Sequence, residues 1–98
     1  MTDFENTLLG DPEARARVFK ALADPNRVRI VELLAQRGEM SGTDIAAAMG
    51  ISLALLSHHG KILDDADITV SRKEGQSRYW SVNRDTLGCI CRDLMRCT

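Results

Sequence analysis

Apolar and polar residues follow two different periods along this chain, and the switches between them divide it. From residue 11 to residue 64 the apolar positions recur at helical spacing; between 68 and 82 β-branched and aromatic residues take over; from 84 onward the helical spacing returns. DPEARARVFKALA (11–23) predicts a helix, with Asp11 as its cap, Pro12 at the first helical position and Glu13 at the positive end of the dipole. DPNRVRIVELLAQRG (24–38) repeats the device: Asp24 caps, Pro25 follows, and Gly38 stops the helix. Val28, Ile30, Val31, Leu33 and Leu34 spread around much of its circumference, which predicts the most buried helix of the chain.

SGTDIAAAMG (41–50) predicts a short helix capped by Ser41 or Thr43 and ended by Gly50. Only Ile51 and Ser52 separate it from the next apolar run, for which Ser52 is a good cap, so 41–64 predicts a helix-turn-helix unit. ITVSRKEGQSRYWSV (68–82) then predicts a hairpin, with Glu74-Gly75 as the tight turn. A helix-turn-helix followed by such a wing is a winged helix. In the last helix, 84–97, Leu87, Ile90, Cys91, Leu94 and Met95 form one apolar stripe. The expected architecture is mainly α with a β-hairpin wing, a single domain over 1–98. A chain this small often gains stability by dimerising, and the helices at 12–23 and 84–97 are the expected dimerisation elements.

At about 100° per residue, Leu53, Leu56, Gly60 and Leu63 share one side of the helix over 53–64, the expected buried side. Ala54, Leu55, His58, Lys61 and Ile62 lie opposite, with Ser57 on the flank and Ser52 at the start. Small, hydroxyl, imidazole and ammonium groups presented this way suit a major groove: Ala54 or Leu55 against thymine methyls, Ser57 or His58 on base edges or phosphates, Lys61 on a phosphate. His59, adjacent to His58 but about 100° away, cannot chelate a metal with it and reads as a half-buried packing residue. Gly60 on the buried side lowers helix propensity and either permits close helix packing or leaves a loose spot.

Net charge is −1, from 13 basic and 14 acidic residues, and alone gives no sign of nucleic-acid binding. Its distribution does: Arg72, Lys73, Arg78 and Arg84 stand against Glu74 alone over 69–84, a basic ribbon suited to phosphate contact. A solvated hairpin surface has the same composition. No run is long and apolar enough for a membrane span, and the N-terminus lacks the basic-then-apolar pattern of a signal peptide, so a cytoplasmic protein is expected. No nucleophile–base pair, phosphate-binding glycine loop or paired carboxylates suggest an enzyme. Three cysteines, Cys89, Cys91 and Cys97, crowd the C-terminus, an odd number that argues against a disulfide framework.

FKALADPNRVRIVELL (19–34), ISLALLSHHGKILDDADI (51–68) and SRKEGQSRYWSV (71–82) together resemble the ArsR/SmtB family of small dimeric winged-helix repressors. The resemblance implies a homodimer, operator double-stranded DNA as partner, and release from the operator when an inducer binds. It departs at Gly60, where a Leu is usual, and at Asp67, where a Gly is usual; Asp tolerates the left-handed turn. The family's cysteine-rich metal motif would fall near 38–44, here GEMSGTD, without Cys or His, and the last helix has no His for the other common site. What remains is CICRDLMRC, similar to the C-terminal thiols of some arsenic-responsive members, which implies Cys89, Cys91 and Cys97 as ligands of arsenite. In an intact helix these three point in different directions, and only Cys91 lies on the apolar stripe. Two alternatives stay open beside an arsenite-released repressor: a thiol redox or persulfide sensor, and a winged-helix protein-interaction module that binds no DNA.

Overall fold

The computed structural model describes residues 11–95, with side chains through Arg92. Its elements are α1 (Pro12–Ala21), α2 (Pro25–Arg37), β1 (Met40–Ser41), α3 (Gly42–Met49), α4 (Leu53–Asp65), β2 (Thr69–Glu74), β3 (Ser77–Val82) and α5 (Arg84–Met95). The Asp-Pro pairs start their helices as the sequence predicts. The Asp11 carboxylate accepts from the Glu13 amide at 3.0 Å, and that of Asp24 from the amides of Asn26 (2.8 Å) and Arg27 (3.3 Å). Ser41 caps α3 through the Asp44 amide (3.1 Å), and Ser52 caps α4 through the Leu55 amide (3.0 Å). Gly50, left-handed at φ 69°, ends α3, so α4 leaves at the angle of a helix-turn-helix.

The core draws on every helix: Ala14, Val18 and Ala21 of α1, Ile30 and Leu34 of α2, Ile45 and Ala46 of α3, Leu56 and Leu63 of α4, and Cys89 and Ile90 of α5. The expectation for α2 needs correction. Only Ile30 and Leu34 are buried there, and Val28 is 38% exposed. More residues are buried on α4, namely Leu56, His59, Gly60 and Leu63, because α1, α2, α3 and the hairpin all pack against it.

Asp67 takes the left-handed conformation (φ 61°) that turns the chain from α4 into the sheet. The hairpin exists, but its two-residue loop is Gly75-Gln76, one position later than predicted, because Glu74 pairs with Ser77. Gly75 has positive φ and Gln76 does not, the pattern in which glycine occupies the first loop position. A third strand has no counterpart in the sequence pattern. β1 pairs with β3 through Met40↔Trp80 and Ser41↔Tyr79, giving an antiparallel sheet of order β1-β3-β2. β3 is thus central, and its Trp80 is 3% exposed.

The last helix also differs from expectation. Cys89, not Cys91, is buried, at 2% exposure, while Cys91 is exposed. The buried Thr86 hydroxyl donates to the Asp67 carbonyl and thereby sets the rotation of α5 about its axis. Thr86, Cys89 and Ile90, three and four residues apart, then face the core. Cys91 falls about 160° from Cys89. The predicted stripe positions Leu94 and Met95 have side chains outside the described residues, and Cys97 lies outside them altogether.

Candidate nucleic-acid interface

Burial on one side of α4 defines what its other side presents. Ala54, Leu55, Ser57, His58 and Lys61 are exposed, as the helical wheel predicts. Two positions depart from it. Leu53, expected inside, is 52% exposed, and Ile62, expected outside, is half-buried against the core. Leu53 lies in the first turn, over the start of α3, where a Cβ on Gly42 would stand 3.3 Å from its Cδ1, and its outer side is open. With Leu55 at 39% exposure, the leading turn of α4 offers two branched apolar side chains to whatever it meets. Ser52 is exposed, but its hydroxyl already serves the helix cap. Lys61 lies 3.8 Å from Asp65 in a largely exposed i,i+4 pair, which holds the ammonium only weakly.

Behind this face, His59 is buried and contributes in a different way. Its Nδ1 lies 3.3 Å from Nη1 of Arg27, whose Nε donates to the Ala21 carbonyl at 2.5 Å. One guanidinium therefore ties α4 to the α1–α2 junction. Burial pushes the His59 pKa below its usual 6.5; the Asp24 carboxylate offsets part of this, and the Arg27 charge adds to it. The neutral ring, accepting from Arg27, is the folded form. A base whose pKa falls on folding gives full stability above about pH 6.5 and loses it as pH drops from there toward the folded value. Urea unfolding should therefore show stability declining between pH 7.5 and 5.5, by at most about 1.4 kcal/mol per pH unit. His59→Gln should flatten that slope, and an unchanged slope in the variant would place the titrating group elsewhere.

The hairpin carries three basic residues in three different settings. Arg72 is clamped: its guanidinium donates to Glu39 at 2.8 and 3.1 Å and to Glu74 at 2.5 Å, and it stacks 4.7 Å from the Tyr79 ring centroid. The hydrogen bond from Arg72 holds the Glu39 carboxyl below its usual range. Arg78 donates to the Ser71 hydroxyl at 3.0 Å, and Ser71 in turn donates to Asp64 at 2.7 Å. Asp64 also accepts from Thr69 at 2.5 Å, so the end of α4 grips the first residues of β2. Lys73 is exposed opposite Arg78 in the ladder. Between α4, the start of α3 and β3 runs a groove of about 460 Å³, bordered by Ser41, Thr43, Ser57, Lys61, Gln76 and Arg78. Glu39, Asp64 and Thr43 have no sequence signal for this role; each acquires its place from a partner on another element.

The C-terminal sulfurs do not make a ready site. Cys89 Sγ is enclosed and accepts from Arg92 at 3.4 Å, whereas Cys91 faces outward. Among the described residues no three His, Cys, Asp or Glu side chains group as metal ligands. Nor is any described helix long and apolar enough to cross a membrane.

A helix-turn-helix whose second helix is gripped from behind and open in front, flanked by a basic hairpin, defines a DNA-binding winged-helix regulator rather than an enzyme. Residues 24–68 match the model of the bacterial regulatory protein, arsR family. The transcriptional repressor SdpR of Bacillus subtilis is 41% identical over 70 residues, covering 71% of this chain and 77% of that protein. The cadmium resistance regulatory protein CadC homolog of Staphylococcus aureus is 40% identical over 73 residues, 74% of this chain but 60% of that protein. Among solved structures, the homodimeric winged helix-turn-helix DNA-binding domain from Mycobacterium bovis matches with TM-score 0.73 and 31% identity, covering 97% of this chain and 85% of that one. The chain belongs to the ArsR family of transcription regulators.

Proposed function

We propose that the chain is a homodimeric repressor that lays α4 in the major groove of an operator and the β2–β3 hairpin along the neighbouring backbone. The observation that carries this is the division of α4: Leu56, His59, Gly60 and Leu63 are buried, while Ala54, Leu55, Ser57, His58 and Lys61 stand outward, and Ser57 and Lys61 share a groove with Arg78 of the wing. Leu55 and Ala54 meet thymine methyls, and Ser57 and His58 hydrogen-bond base edges. Two α4 helices held by a twofold axis would lie about 34 Å apart, one turn of DNA. Dimerisation is supported by Phe19, 45% exposed on α1, and by the homodimeric relative of known structure.

Selection of duplexes from a random library, followed by titration, tests the reading. His58→Ala should change the ranking of selected sequences as well as weaken binding, because a base-edge contact carries sequence information. If no duplex is enriched, or if the mass in solution at micromolar concentration is that of one chain, the reading fails. The inducer in this reading is a soft thiophile, arsenite, taken by Cys89, Cys91 and Cys97. Since Cys89 is enclosed, those thiols come together only after α5 opens.

A further inference from the structure

Beside the hydrogen bonds from Thr69 and Ser71 to Asp64, which hold the first residues of β2 to the end of α4, one apolar side chain packs the wing against both helices of the helix-turn-helix. Trp80, on the central strand, is 3% exposed and lies between two glycines, one from each helix of the unit. A Cβ built on Gly42 of α3 would stand 2.8 Å from Trp80 Cζ3. One built on Gly60 of α4 would stand 2.8 Å from each of Cε2, Cζ2 and Nε1. No carbon approaches a ring that closely, so both backbones admit the indole only because they lack a side chain. The ring is planar and rigid and is bounded at both ends, so it cannot yield to either side. Its Nε1 is buried and has no hydrogen-bond partner among the described residues, so shape rather than a polar contact holds it.

The same strand carries the DNA-facing charge. Arg78 is two residues from Trp80 and so on the same face of β3, and Lys73 is its direct partner in the ladder. Any shift of the indole therefore moves Arg78 and Lys73 together relative to α4. We infer that Trp80, wedged between Gly42 and Gly60, is the residue that sets the angle between the reading helix and the wing, and so decides whether both reach the same stretch of DNA. This rests on the DNA-reading role proposed above.

The test uses the full chain and its sole tryptophan. Gly60→Ala forces the ring out of its seat; Trp80→Ala empties the seat without a clash. Both should keep the helical circular-dichroism signal. In Gly60→Ala, tryptophan emission should shift to the red and become more accessible to quencher. In both variants duplex affinity should fall at least about ten-fold. The salt dependence should become shallower by roughly 0.9 for each phosphate that is no longer neutralised, or about 1.8 per protomer when Arg78 and Lys73 both withdraw. Gly60→Ala combined with Trp80→Leu, which lacks the ring atoms the new methyl would strike, should recover much of the slope. A folding defect alone would lower the active fraction and leave the slope unchanged, which would overturn the inference. Unaltered emission in Gly60→Ala overturns the seat. Native affinity and slope in Trp80→Ala overturn the role in DNA reading. Failure of the unsubstituted protein to bind any duplex would instead bring down the proposed function, whatever the fluorescence shows.

Discussion

Changing Lys73 and Arg78 together to Ala should reduce duplex affinity on the order of a thousand-fold near physiological salt. Four cations leave the dimer, each worth about 0.9 in the slope of log affinity against log salt, so the slope should become shallower by roughly 3.6. The loss should be similar for all sequences, since backbone contacts position the protein without reading bases. Arg72→Ala should behave differently. Its guanidinium is shared by Glu39 and Glu74 and stacked on Tyr79, so reaching a phosphate means leaving both carboxylates. Its removal should alter the slope by clearly less than either neighbour's. Anisotropy titrations at four or five salt concentrations measure all three proteins. Equal slopes for the double variant and the native chain would remove the hairpin from the interface.

Arsenite added to reduced protein should release bound DNA, and the release should run parallel with a loss of helical circular dichroism. The reason is steric. Cys89 and Cys91 stand about 160° apart around α5, farther round than a three-thiolate pyramid spans, and Cys89 is beneath the surface beside Ile90. Bringing them onto one ion requires the helix to unwind from its seat near Thr86. The apparent affinity is then lowered by the fraction of molecules with α5 open, so destabilising α5 should tighten arsenite binding while weakening the dimer. Cys89→Ser, Cys91→Ser and Cys97→Ser together should abolish both responses and leave DNA binding intact. Release by arsenite from that triple variant would put the sensor elsewhere. Release of the native protein by peroxide or a persulfide donor, and not by arsenite, would make the thiols a redox switch.

The parts of this molecule that are legible in its sequence are those encoded within a few residues. Asp11-Pro12, Asp24-Pro25 and Ser52 announce helix starts because cap and amide are two or three positions apart. The outward face of α4 is likewise a matter of local spacing. What cannot be read depends on distant pairings. β1 is two residues long and exists because β3, some forty positions later, offers Trp80 and Tyr79 as partners. Arg72 has the sequence setting of a phosphate ligand, yet Glu39, 33 residues away, occupies its guanidinium. The periodic stripe of α5 predicts the helix correctly and misplaces Cys91, because Thr86 anchors the helix to Asp67, 19 residues earlier, and no period contains that rotation.

β1 covers one side of β3, so among the described residues the sheet has one long margin open, along β2. An open margin is a template on which another chain can add itself, and Val70, 55% exposed there, would invite it. The same six-residue strand ends in Arg72, Lys73 and Glu74, and a second copy laid against it would have to accommodate charged side chains over half its length. The charges along this margin therefore guard the protein against stacking into fibrils, a duty independent of anything they do on a phosphate, and one that stripping them away would expose at high concentration.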